Sequence, residues 1–99
     1  MANFLFLYSG GNPPANAEDG QKVMQAWMTY FGRMGDKIVD GGAPLGERRS
    51  VEGAPASNAS GYSIMKADSL EQAVGYCEGH PHIASGGKIE VIETVPVRM

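Results

Sequence analysis

The sequence predicts one α+β domain running strand, helix, strand, strand, helix, strand, which makes a four-stranded antiparallel sheet with two helices on one face. Three observations predict it. Four short runs suited to strands, at 3–8, 37–40, 62–67 and 88–95, are bounded by Gly, Pro, Ser, Asn or Asp. The stretches ending near Met34 and opening at Asp68 carry apolar residues at helical spacing instead. The length of 99 residues suits a single domain, 1–99, with one modest core.

The first strand, Phe4-Leu5-Phe6-Leu7-Tyr8, stops at Ser9-Gly10-Gly11, and Asn12-Pro13-Pro14 continues the loop. Asn16 is placed to cap the first helix, with Glu18 and Asp19 at the positive end of its dipole. Val23, Trp27, Tyr30, Phe31 and Met34 form one apolar stripe, and Gly35 ends the helix. The stripe reads as core. Lys37 to Asp40 begins the second strand, which Gly41-Gly42-Ala43-Pro44 interrupts or bends, and residues 45–52 continue as an irregular arm. Gly53 through Gly61 reads as a surface loop before the third strand, Tyr62 to Ala67. Asp68 and Glu71 fit a capping box for the second helix. Its buried face is read as Leu70, Ala73, Val74 and Cys77, with Gly79 and Pro81 as its stop. Lys88 to Val95 is the last strand.

A net charge of −3 and a pI near 5.2 argue against nucleic-acid binding, which needs a basic face. The only adjacent basic pair, Arg48-Arg49, has Glu47 and Glu52 close by. The single cysteine, Cys77, excludes an internal disulfide and a cysteine-rich metal site. The apolar start has no basic flank and is too short for a signal segment or a membrane span, so a cytoplasmic protein is expected.

With the order of elements in place, several blocks resemble YCII-related proteins. Phe4 to Tyr8 followed by a glycine turn is similar to their opening, as are Gly61-Tyr62-Ser63-Ile64 and the run from Ala67 to Val74. Pro81-His82-Ile83-Ala84-Ser85-Gly86-Gly87-Lys88-Ile89-Glu90-Val91 is the strongest block, and Gly35 to Asp40 matches a segment of one branch. The resemblance covers most of the chain outside residues 47–57. It implies a ferredoxin-like βαββαβ domain that pairs through its sheet as a dimeric α+β barrel. The Asp-Gly-Pro-Phe segment of many members is absent. A histidine–aspartate pair proposed for others would fall near Met24 and at His80, so this chain lacks that pair.

His80-Pro81-His82 is the most suggestive local feature, because imidazole titrates near neutrality and can act as acid, base or ligand. The commoner role for both histidines is capping or solvation at the C-terminal end of the second helix. Asp40, at a strand end before Gly41-Gly42, is the other candidate acid or base, against an ordinary role in a turn. His82 and Asp40 are therefore the candidate catalytic residues. Asp68 reads as a helix cap and Cys77 as a small buried hydrophobe. No metal-ligand spacing occurs, and neither glycine pair leads from a strand into a helix to cradle phosphate. No cofactor is expected. Two readings stay open: a dimeric module that binds a small organic molecule, and a small enzyme using His82 or Asp40 in a pocket beside the sheet.

Strand alternation bears on the dimer. Phe4, Phe6 and Tyr8 point to one side and Leu5 and Leu7 to the other. Tyr62 and Ile64 oppose Met65 and Ala67, while Ile89 and Val91 oppose Ile92 and Glu90. Helices cover one face only, so the other is expected to be covered by a second copy.

Overall fold

Alternation along the first strand decides which way the sheet faces. In the computed structural model, which describes residues 1–97, β1 (Ala2–Gly10) buries Phe4, Phe6 and Tyr8 and leaves Leu5 and Leu7 half-buried on the other side. Asn16 caps α1 (Ala17–Met34) through its side-chain oxygen, which accepts from the Asp19 backbone N–H at 2.8 Å. Gly35, at φ +56, closes that helix by donating its N–H to the Phe31 carbonyl. A 3-10 turn at Gly35–Lys37 then leads into β2 (Ile38–Pro44), and β3 (Ala59–Ala67) returns beside it. Two short helices, α2 (Leu70–Gly75) and α3 (Pro81–Ala84), precede β4 (Gly87–Glu93).

The strands pair antiparallel in the order β2-β3-β1-β4, so the two longest lie in the centre. Phe6 sits opposite Ser63 on one side and Val91 on the other. Side chains of directly opposed residues therefore share a face, even-numbered ones on β1 with odd-numbered ones on β3 and β4. The helix side gathers Phe4, Phe6, Met65 and Ala67 against Tyr30 and Met34 of α1. Tyr30 donates to the Tyr76 carbonyl at 2.9 Å, and Tyr76 donates to the Lys66 carbonyl at 3.1 Å. These two bonds tie α1 to the end of α2, and α2 to β3. This is the ferredoxin-like α+β architecture.

Four features differ from the sequence reading, in β3 and in the segment after it. β3 starts at Ala59, not Tyr62, because a register shift beside Tyr8 lets the pairing continue to Ser9 opposite Ala59. The second helix stops at Gly75, ahead of the expected stop at Gly79, and Pro81 opens an additional short helix after Gly79 turns at φ +72. Ser69, not Asp68, caps α2, accepting from the Gln72 N–H at 3.1 Å, while the Gln72 side chain accepts from the Asp68 N–H at 2.6 Å. The buried face of this segment is Ala73 and Tyr76; Leu70 and Val74 are exposed, and Cys77 is half-buried with burial raising its thiol pKa. With the cap one residue later, Ser69→Ala should cost about 1 kcal/mol of stability in urea unfolding. Asp68→Ala should stay within about 0.5 kcal/mol of the parent.

Candidate functional site

The second strand makes the site possible by leaving the regular ladder. Its pairing with β3 shifts between Ile38 and Asp40 and again between Asp40 and Ala43. Gly42 sits at φ +78, where a Cβ would collide with the Tyr62 carbonyl oxygen. Only glycine lets the bulge come this close. Beside it opens a cavity of about 370 Å³ between α1 and the sheet. Trp27 and Phe31 form its helix wall, the backbone from Gly41 to Pro44 forms the opposite edge, and Tyr8 and Ser63 contribute from the central strands. Trp27 and Phe31, read from the sequence as core, are half-buried cavity walls. Among the described residues that line the cavity, none is Asp, Glu, Lys or Arg.

Behind Tyr8 lies a fully buried histidine. His80 caps α3 with Nδ1, which accepts the His82 backbone N–H at 3.0 Å, and Pro81 occupies the first helical position. An accepting Nδ1 leaves the proton of a neutral ring on Nε2. That nitrogen lies 3.3 Å from the Tyr8 hydroxyl. Tyr8 donates to Ser63 Oγ at 2.9 Å, and Ser63 donates to the Gly41 carbonyl at 2.9 Å. The direction is fixed from both ends. A carbonyl only accepts, so the Ser63 proton must point at Gly41 and the Tyr8 proton at Ser63. The Tyr8 oxygen must then accept from His80.

Burial sets the charge state of this chain. It lowers the His80 pKa to about 4, with His82 and Arg33 adding repulsion against a charged ring. It pushes Tyr8 up to about 12, and the Ser63 hydrogen bond only partly offsets that. Tyr30 is raised too, mainly by burial. Trp27 and Tyr30 pack on His80 with ring centroids 4.9 and 4.2 Å away. Imidazole and phenol are both neutral near pH 7.

His82 stands on the cavity wall. Its Nε2 lies 2.8 Å from the Ser9 carbonyl and so donates to it, and its ring lies where a Cβ on Gly87 would collide with it. Asp40 is elsewhere. It pairs with Ile64 on the uncovered sheet face, where its carboxylate is exposed and accepts from the Gly42 N–H at 2.8 Å and the Tyr62 hydroxyl at 3.3 Å. His80 is the reading to correct: it begins a helix inside the core and does not cap the end of one at the surface. Met24, the residue near the expected first-helix histidine, is 65% exposed, whereas Trp27 and Tyr30 are the helix residues that face His80. Tyr8 and Ser63 were missed as polar site residues. Their signal was parity, since both fall on the buried face of their strands.

A second depression, near 300 Å³, lies between α1 and α3. Its Arg33 is engaged by the Glu78 carbonyl at 3.1 Å and the face of Tyr30 at 5.3 Å.

No protein-family model and no curated protein matches this chain. Among solved structures it is similar to 5-chloro-2-hydroxyhydroquinone dehydrochlorinase from Burkholderia phenoliruptrix AC1100, in its complex with 2,5-dihydroxybenzoquinone. The two share 20% identity over 87% of this chain and 90% of that one, with a TM-score of 0.50. At that distance the likeness shows the fold, a ferredoxin-like α+β domain. Among the described residues no helix is long and apolar enough to cross a membrane.

The depressed His80 pKa has a stability consequence. Between pH 6.5 and about 4 the unfolded chain binds a proton at this ring that the folded chain does not. The stability contributed by the neutral ring is therefore full above pH 6.5 and lost as pH falls toward 4, on the order of 3 kcal/mol over that window. His80→Asn keeps a capping side chain and removes the titration. Its urea unfolding should lose less stability than the parent between those pH values, and parallel pH curves would show that His80 is not the group responsible.

Proposed function

We propose that this chain is a YCII-related domain that acts as a homodimer and binds a small organic molecule in the cavity beside Trp27. The cavity carries the reading. It is large enough for one or two fused rings, is walled mainly by aromatic side chains and glycine backbone, and has a few polar groups at fixed positions. The fold it shares with the dehydrochlorinase, whose structure holds a quinone, supports a small-molecule role. A second reading, acid–base chemistry in the same cavity, draws support from the His82 ring on its wall. Asp40 enters that reading only from the opposite face of the sheet.

The dimer reading rests on that opposite face. Leu5, Leu7, Tyr62 and Ile64 are half-buried there and Ile92 is 39% exposed, making one apolar stripe across three strands. Lys66 and Glu90 stand on either side of the stripe, on β3 and β4. A twofold axis between them brings opposite charges together when two stripes meet, which a covered charge requires.

Trp27 is the only tryptophan, so its fluorescence reports on the cavity directly. Small neutral aromatic compounds should quench it saturably. Ala43→Phe, at an exposed position on the cavity edge, should abolish the effect with the circular dichroism unchanged. Quenching that never saturates, or survives in that variant, would remove the cavity reading. Sedimentation equilibrium at micromolar concentration should give twice the 10.5 kDa chain mass, and Ile92→Lys should shift it toward the monomer. A parent that sediments as a single 10.5 kDa species would refute the dimer.

A further inference from the structure

The hydroxyl groups around the cavity have all committed their hydrogens elsewhere. Tyr8 donates to Ser63, and Ser63 donates to the Gly41 carbonyl. Ser60 donates to the Tyr8 carbonyl at 3.3 Å, and Tyr62 donates to the Asp40 carboxylate on the far face. The His82 Nε2–H is held by the Ser9 carbonyl. These assignments do not depend on guessed proton positions, because each chain ends on a group that can only accept. A hydroxyl oxygen offers two lone pairs in addition to its hydrogen. Tyr8 uses one to accept from His80, and Ser63 uses one to accept from Tyr8, so each keeps a single lone pair and no donor. Among the described lining side chains, Trp27 carries the only N–H without an acceptor inside the protein.

From this we propose that the Tyr8–Ser63 end of the cavity selects an uncharged aromatic ligand that presents a hydrogen-bond donor to it, and discriminates against ligands that present only acceptors or a negative charge there. The proposal rests on the cavity reading above and adds the chemical class of its occupant. An acceptor-only group placed against Tyr8 and Ser63 meets lone pairs, and burying it there without a donor costs more than leaving it in water. A carboxylate fares worse, since none of the lining residues is Lys or Arg. A phenolic O–H or an aromatic N–H gives the remaining lone pairs the hydrogen they lack. The orientation is maintained from behind by His80, whose Nδ1 is fixed as acceptor by the His82 backbone.

Four probes of similar size separate these possibilities in one fluorine NMR titration: 4-fluorophenol, 4-fluoroanisole, 4-fluoroacetophenone and 4-fluorobenzoate. The phenol should bind about tenfold more tightly than the anisole, as one hydrogen bond predicts, and the benzoate should bind most weakly. Ser63→Ala supplies an independent arm. It removes the acceptor of the Tyr8 proton and frees that proton for a ligand, so the acetophenone should gain affinity relative to the phenol. Trp27→Phe removes a cavity wall and should weaken phenol and anisole together, keeping their ratio, which assigns the preference to the hydroxyl groups. Equal binding of phenol and anisole by the parent protein would overturn donor selection while leaving the cavity reading intact. Tighter binding of the acetophenone by the parent would overturn the assigned proton direction. If none of the four probes binds, the cavity reading falls and this inference falls with it.

Discussion

An imidazole with no exposed surface must have both ring nitrogens bonded, and meeting that demand at His80 organises one end of the molecule. The Nδ1 acceptor needs an N–H presented at close range, which the His82 backbone supplies once Pro81 has set the first turn of α3. The Nε2 proton needs an acceptor inside the core, and Tyr8 reaches it only because β1 turns that side chain toward the helices. Tyr8 then needs a place for its own proton. Ser63 provides it, and passes the requirement on to the Gly41 carbonyl in the bulge of β2. One buried ring thus links α3 to three strands in turn, while Trp27 and Tyr30 pack α1 onto the same ring. Removing any hydroxyl from the series leaves its neighbour without a partner, a larger penalty than a surface hydrogen bond carries.

This dependence explains which parts of the molecule were legible in the sequence. The parity of Phe4, Phe6 and Tyr8 and the stripe from Val23 to Met34 are local patterns; the structure buries the strand face, and of the stripe it buries Tyr30 and Met34 and leaves Val23, Trp27 and Phe31 half-buried. The order of elements follows from the same patterns. A six-residue helix completes fewer than two turns, too few for periodicity to set its phase, so Ala73 was read correctly as buried, Leu70 and Val74 were read as buried but are exposed, and Tyr76 was missed. Asp68 and Ser69 are adjacent residues with almost equal capping preference, and sequence cannot choose between them. The burial of His80 depends on a hydroxyl 72 residues away. No local signal marks such a contact, although His-Pro is itself a recognisable cap followed by a first-turn proline.

The candidate site shows the same division. His82 was legible because it follows that His-Pro step and precedes a strand, which fixes it near the end of β1. Asp40 was read as a strand-end carboxylate, but the strand continues past it to Pro44, and the face it would occupy was not legible. Register shifts on both sides of it leave Asp40 paired with Ile64, so its side chain joins Tyr62 on the uncovered surface. Tyr8 and Ser63 were visible only as members of a buried strand face. A tyrosine and a serine at such positions are usually satisfied structural groups, and here too their hydrogen bonds are internal. Their further significance comes from lying at the cavity boundary.

The two faces of the sheet therefore carry separate demands with little competition between them. Strand alternation sends Tyr8, Ser63 and Met65 toward the helices and Leu7, Tyr62 and Ile64 away from them. A change in one set alters cavity chemistry, and a change in the other alters the surface available for association. β2 is the exception, because its bulge serves both sides at once. Gly41 accepts the Ser63 proton on the helix side, while the neighbouring Asp40 accepts from Tyr62 on the uncovered side. Asp40 also accepts the Gly42 N–H, and Gly42 has no room for a side chain against the Tyr62 carbonyl. Three consecutive residues of β2, Asp40, Gly41 and Gly42, thus bond to the uncovered face and to the cavity side together.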